Sequence, residues 1–362
     1  MNGVESFYRR RREKVLRRAE QDGTDAVIVG KPQNLYYLTG FWGEGLAVLD
    51  SSAMSLIVPA LERARAEEGV VDTEVIGADR GTRIMVALAD RVRGKKCAID
   101  DVDVAQYDAI ASRTGAAPIV LPGACMDART VKDELELKNL REGGRAMDDL
   151  YRLAAEVIAP GVSERKVSAA LLERMVADGA DPPAYESTLN PLIVASGPNG
   201  ALPHAYTTTR EVRDGDFVVV DLVLRYNGYV VDATRTFAVG RADHDMKEAY
   251  EAVLGSQREG AKSVRPGART ADVDGVCRRH LAERGYADLF VHSTGHGVGL
   301  DVHEPPWLRN GDGGELAEGM VVTVEPGVYV AGRYGVRIED SIVVAEEPSA
   351  LTGFARELQV LG

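Results

Sequence analysis

A chain of 362 residues with 45% hydrophobic content carries enough material for two domains and a large buried core. Its net charge of -13 argues against a general nucleic-acid or membrane-surface binder, which is usually basic. Cys97, Cys125 and Cys277 are odd in number and widely spaced, so they suit neither a disulfide framework nor a zinc cluster. They point instead to a reducing compartment, the cytoplasm.

In chain order, residues 5–21 predict a helix ended near Gly23, then a short buried strand at 25–30. The arginines at 9–12 are not followed by the apolar run of a signal peptide. They read as the solvated face of a charged helix rather than a phosphate-binding patch. Apolar segments at 46–49, 54–58 and 97–100 predict strands, with helices at 60–68, 81–93 and 103–114 between them. That alternation implies an α/β domain with a partly parallel sheet. Nothing in it concentrates His, Asp or Glu, so a scaffold or oligomer contact is the expected role. The polar segment 127–134 is the expected join, which divides the chain into domains at 1–126 and 127–362.

Beyond the join, helical spacing covers 135–158, 163–178, 245–262 and 270–285. Period-two segments lie at 216–225, 229–239, 320–325 and 335–344. Helices interleaved with antiparallel strands indicate an α+β domain, with the helices on one face of a curved sheet. No run of about 18 apolar residues predicts a membrane helix.

Candidate chemistry concentrates in this second half. The segment 216–237 holds two β-rich runs flanking Asn227-Gly228, a strong signal for a tight hairpin. With those two residues as the loop, Tyr226 faces Tyr229 and Val223 faces Asp232. Asp221 then shares a face with Asp232, their β-carbons roughly 7 Å apart. Two carboxylates there repel unless a positive group lies between them.

The segment HSTGHGVGLDVHE, 292–304, places His292, His296 and His303 among glycines that disfavour a regular helix. His204 sits in a second loop rich in Gly, Pro and Asn. Glu325 ends an apolar strand before Pro326-Gly327, and the run 335–344 puts Arg337 and Glu339 on one face with Asp340 on the other. A buried Glu there is costly unless paired or coordinated. Four carboxylates with one neutral imidazole carry about -4, which two divalent ions balance. Such oxygen-rich ligation suits Mn, Co, Fe or Zn.

These motifs, in this order over about residues 130–350, resemble the creatinase/aminopeptidase "pita-bread" metallopeptidases, and within them the Xaa-Pro peptidases, prolidase and aminopeptidase P. PQNLYYLTGF (32–41) is similar to their smaller creatinase-type N-terminal domain. The resemblance implies an α+β pita-bread catalytic domain preceded by an α/β creatinase-type domain. It implies that Asp221 chelates one metal, that Asp232 and Glu339 bridge both, and that His296 and Glu325 hold the other. By the same likeness Glu325 is also the general base. His204, His292 and His303 match histidines that contact the scissile carbonyl, the leaving amide and the substrate, and Arg337 matches an arginine beside the last metal glutamate. Arg337 and His292 are the candidate substrate-binding residues, Arg337 as a cation for the carboxylate of the substrate's proline. The implied reaction releases the N-terminal residue from Xaa-Pro dipeptides or short proline-containing peptides by attack of a metal-bridging hydroxide. Manganese is the foremost metal, with cobalt, zinc or iron as alternatives, and a homodimer is expected. Relatives commonly have Gly where this chain has Val223, and Ser or Cys where it has Val231. The competing readings are a metal-dependent hydrolase of a small non-peptide amide and a non-catalytic binding module on the same fold.

Overall fold

The computed structural model describes residues 3–79, 82–100, 102–114, 117–121, 123–183, 188 and 190–362. The chain divides into two compact units, Met1–Arg129 and Thr130–Gly362. Among the described residues no helix is long and apolar enough to cross a membrane.

The first unit runs α1 Gly3–Gln21, β1 Ala26–Val29, α2 Pro32–Thr39, β2 Leu46–Asp50, β3 Met54–Pro59, α3 Arg63–Gly69, β4 Glu74–Ala78, α4 Thr82–Val92, β5 Cys97–Asp100, α5 Val104–Thr114, β6 Ile119–Val120 and α6 Ala124–Thr130. Its strands form a six-stranded sheet in the order β4-β3-β2-β1-β5-β6. Pairs β1–β2 and β2–β3 are antiparallel, while β3–β4, β1–β5 and β5–β6 are parallel. The central strand Ala26–Val29 is buried at every residue, as a continuous apolar run in a sheet covered on both faces should be.

Two elements were not predicted, and one expectation needs correction. Pro32–Thr39 is a helix, begun by proline and closed by Gly40 at φ 86, signals that the sequence carries but that the strand–helix reading passed over. Glu74–Ala78 is a strand with no clear alternation of burial. The arginines of α1 are not all solvated, since Arg11 and Arg12 are buried. Arg12 donates to the carbonyls of Leu38, Val71 and Asp72 and to Thr73 Oγ1. Arg11 donates to Tyr37 O and lies over the rings of Tyr8 and Tyr37. These guanidinium groups satisfy carbonyls at the end of α2, which have no partner within the helix.

The second unit runs α7 Glu134–Val157, α8 Glu164–Ala177, β7 Leu192–Ser196, β8 Phe217–Tyr226, β9 Tyr229–Val239, α9 His244–Ser263, α10 Thr270–Ala282, β10 Gly295–Gly297, β11 Glu304–Leu308, β12 Val321–Val324, β13 Gly327–Val330, β14 Tyr334–Arg337, β15 Glu339–Val343, β16 Ser349–Ala350 and β17 Val360–Leu361. The main sheet follows β11-β10-β12-β15-β9-β8-β7, with β16 beside β15 and β17 beside β9. The polar stretch before α7 is no plain linker. α6 extends to Thr130, and Asp133 and Glu136 form a reciprocal capping box that starts α7.

α7 packs on the face of the β8–β9 hairpin opposite the candidate carboxylates. Burying Leu140, Met147 and Leu150 stabilises this contact by roughly 1.5–3 kcal/mol each. Gly143 and Gly144 each cost about 1 kcal/mol of helix propensity relative to alanine. The reason for them is close approach: a β-carbon at Gly143 would lie 2.9 Å from Val231 Cγ2, and one at Gly144 would lie 2.1 Å from Leu351 O. Tyr151 Oη donates to Ala233 O, which ties the helix to β9.

The expected strand over 335–344 is two strands. β14 pairs with β13 in a separate two-stranded sheet, and β15 joins β12 and β9. Ile338 marks the switch between sheets.

Candidate metal centre

The β8–β9 hairpin has the register read from its alternation. Val223 is opposite Asp232 and Tyr226 is opposite Tyr229. Asn227 and Gly228 close it at φ 47 and 83, the left-handed geometry that a two-residue turn of this kind requires. Asp221 and Asp232 both open onto one cavity of about 550 Å³, which His292, His296, Glu325 and Glu339 also line.

At its floor, donor atoms of Asp232, His296 and Glu339 lie within 4.8 Å of one another, and all three residues are buried. His296 Nε2 stands 3.6 Å from Glu325 Oε1 and 3.9 Å from Asp232 Oδ2. His296 Nδ1 is 3.0 Å from Gly297 O, so the proton sits there and the Nε2 lone pair faces the carboxylates. Burial, with His303 nearby, pushes His296 down to about 3, so the ring is neutral.

The acids behave in the opposite sense. Burial, reinforced by the neighbouring carboxylates, raises Asp232 and Glu325 well above the usual carboxylate range. Burial and then Asp221 push Glu339 up to about 8. Asp221 Oδ1 is buried and makes no hydrogen bond. A neutral imidazole, an orphaned carboxylate oxygen and mutually repelling buried acids form a donor set that fits divalent cations of the oxygen- and nitrogen-seeking kind.

Several residues around this floor escaped the sequence reading. Thr234 Oγ1 donates to Glu339 Oε2 at 2.6 Å and accepts from Arg337 Nε at 3.1 Å. Thr323 Oγ1 accepts from His296 N at 3.0 Å and also bonds Glu325. Thr234 is two residues beyond Asp232, so period two could have placed it on the same face. Thr323 is likewise two before Glu325.

Arg337 is 3% exposed and fully enlisted. Besides Thr234 it donates to Pro203 O at 3.0 Å, to Tyr329 Oη at 2.8 Å and to Asp221 Oδ2. Tyr329 Oη in turn lies 2.9 Å from His292 Nε2, and His292 Nδ1 lies 2.8 Å from Ser293 O. The chain of donation therefore runs from Arg337 to Tyr329 to His292, which fixes the imidazole as its Nδ1–H tautomer. Burial, then Arg337, pushes His292 down to about 4.

His303 and His204 are exposed at the cavity wall, and the His303 ring lies 4.4 Å from that of His296. Asp340 points away from the cavity into a buried cluster with Arg235, Arg356, Thr352 and Gln257. Arg235 also donates to the carbonyls of Thr234 and Glu339, which braces β9 and β15 from behind. The two positions where valine departs from relatives separate cleanly. Val223 faces the cavity and packs with Val230 and Val302, whereas Val231 faces α7.

Residues 138–346 match the model of metallopeptidase family M24, and residues 11–131 match the creatinase/prolidase N-terminal domain. The Xaa-Pro dipeptidase of Pyrococcus furiosus is 32% identical over 368 residues, spanning 96% of this chain and 99% of that protein. Among solved structures, the prolidase from Pyrococcus horikoshii superposes with a TM-score of 0.88 at 32% identity, covering 96% of this chain and 99% of the other. The X-Pro aminopeptidase from Thermotoga maritima superposes at 0.87 with 28% identity, covering 95% and 100%. With a matching family model over more than half its length and relatives above 30% identity along nearly all of it, the chain belongs to metallopeptidase family M24, preceded by a creatinase/prolidase N-terminal domain.

Proposed function

We propose that this chain is a two-metal Xaa-Pro dipeptidase that releases the N-terminal residue from Xaa-Pro dipeptides and short proline-containing peptides. The observation carrying the reading is the convergence of Asp232, His296 and Glu339 donors at the floor of a cavity that Asp221 and Glu325 also line. Asp221 would hold one ion, Asp232 and Glu339 would lie between both, and His296 and Glu325 would hold the other. Manganese is the metal to supply first, with cobalt, zinc and iron as alternatives. When bound, such ions make a water nucleophilic near neutral pH and polarise the scissile carbonyl.

The protein's own groups do the rest. Glu325, which lines the cavity 3.6 Å from His296 Nε2, takes the proton of the attacking water. It returns that proton to the leaving nitrogen, which for proline carries no hydrogen of its own. His303, at the wall beside His296, donates to the oxygen on which charge develops, and His204 does so from the facing loop. His292 is held by Tyr329 and borders the substrate space. Arg337 acts on substrate through Asp221, since its contacts hold that carboxylate in place. The buried thiols at Cys97, Cys125 and Cys277 support a cytoplasmic setting, and the family resemblance extends the proposal to a homodimer.

The test compares Ala-Pro, Ala-Pro-Ala and Ala-Ala with Mn, Co and Zn supplied in turn. Ala-Pro is expected to turn over fastest and Ala-Ala slowest. Preference for the tripeptide would move the assignment to an aminopeptidase, and turnover of neither proline substrate would end the peptidase reading.

A further inference from the structure

Between β10 and β11 the chain leaves the sheet and returns through Val298 to His303. The pairing shifts register here: His296 is opposite Trp307, but Gly297 is opposite Glu304. The shift falls at Pro305-Pro306, just past a loop, 298–303, whose last residue is His303 at the cavity wall. Its backbone is pinned by Val230 N donating to Gly299 O at 2.7 Å and Val298 N donating to Val321 O at 3.1 Å.

The next side chain, Glu304, turns back beneath this loop. Its Oε2 accepts from Asp301 N at 3.4 Å, and its Oε1 meets Lys132 Nζ at 2.8 Å. Gly299 leaves the room this needs, because a β-carbon there would lie 2.5 Å from Glu304 Oε1. Lys132 is itself anchored: its Nζ also donates to Thr130 O at 3.1 Å, and its backbone N donates to Gly319 O at 3.0 Å. The two charged side chains are 1% and 0% exposed.

A buried pair of this kind is a poor device for stability alone. An apolar pair of similar volume usually serves as well, because both charges must be stripped of water. An ion pair differs from an apolar contact in being directional, and the direction fixed here is that of the loop one residue before Glu304. We propose that Lys132 and Glu304 form a positioning pair that sets where the His303 imidazole stands over the metal floor. The proposal rests on the part given to His303 in the peptidase reaction.

The test uses the full-length, metal-loaded protein and the double variant Lys132→Met/Glu304→Leu, with Lys132→Arg and Glu304→Asp alongside. Melting temperature and kcat and KM on Ala-Pro are measured with the most active metal, and the side-chain ¹⁵N resonances of His303 with diamagnetic zinc. The double variant is expected to melt near wild type and keep KM within about twofold, while kcat falls by roughly ten- to a hundredfold, the cost of misplacing a catalytic group by about 1 Å. The His303 resonances should move while those of His244 and His280 stay, and Lys132→Arg should recover part of kcat. A folded double variant with wild-type kcat and an unmoved His303 signal overturns the proposal. If the double variant does not fold, Glu304→Asp decides, because it keeps the charge but withdraws it by one methylene. Unchanged kcat and an unmoved resonance there are equally fatal. If the wild type cleaves no Xaa-Pro substrate, the peptidase reading fails, while the resonances still judge the positioning.

Discussion

Removing the metal should make stability fall as pH rises, opposite to the usual behaviour of a protein with buried ion pairs. Without a cation among them, Asp232, Glu325 and Glu339 hold protons in the folded state that the unfolded chain has released. Glu339 is displaced from an ordinary 4.5 to about 8, so its contribution is complete below pH 4.5 and is lost as pH climbs toward 8. His292 and His296 act in the other direction, being held near 4 and 3 against an ordinary 6.5. Their stabilising effect grows up to about pH 6.5. Above pH 6.5 the histidines add little more, so the carboxylates dominate the window from pH 6.5 to 8. Glu339 alone costs about 2 kcal/mol across it at 1.4 kcal/mol per pH unit, and Asp232 and Glu325 add in the same sense. For a unit of this size that is a fall of about 4–8 °C in melting temperature. With manganese supplied the slope should reverse, because ions bind the deprotonated acids and displace their protons. Thermal melts in chelator and in manganese, at half-unit pH steps, measure both. A chelated protein whose melting temperature stays flat or rises from pH 6.5 to 8 would refute the reasoning.

Three further outcomes are expected. Asp232→Asn and Glu339→Gln should abolish activity and lower bound metal by elemental analysis, and two full equivalents in either variant would contradict a bridging role. His303→Ala and His204→Ala should lower kcat by roughly 10²–10³ with metal content near wild type, whereas His296→Ala should lose metal. Equal metal loss in all three would erase the distinction between ligand and wall histidines. Val223→Gly should raise kcat/KM on Leu-Pro relative to Ala-Pro by about tenfold, since Val223 occupies cavity wall next to Asp221, and an unchanged ratio would place the specificity elsewhere.

What was legible in the sequence was what repeats locally. The hairpin at 217–239 announces itself through its turn and its alternation, so the shared face of Asp221 and Asp232 is written in the sequence. Glu325 and the glycine-flanked histidines stand out for a related reason, being polar groups where the surrounding run is apolar. What stayed hidden depends on partners far away in the chain. Arg12 looks like any surface arginine until the carbonyls of Leu38 and Val71 are brought to it. The pairing of Lys132 with Glu304 spans 172 residues and leaves no periodic trace. The break at Ile338 was invisible because both strands keep period two, and only the change of sheet partner separates them. Gly143-Gly144 looks like a helix breaker until Val231 and Leu351 explain the need for space.

The hairpin also makes chain length a stricter inheritance than residue identity. Side chains alternate, so deleting one residue between Leu222 and Val231 would swing one of its aspartates from the cavity toward the face on which α7 lies. A substitution by a smaller residue on the helix-facing side, such as at Val231, leaves both aspartates on the cavity face. Descendants of this chain should therefore keep the count of residues between the two aspartates fixed or change it in twos, with the turn at Asn227-Gly228 retained. The solvent-facing turn at 309–314, which carries no group lining the cavity, should gain and lose residues singly.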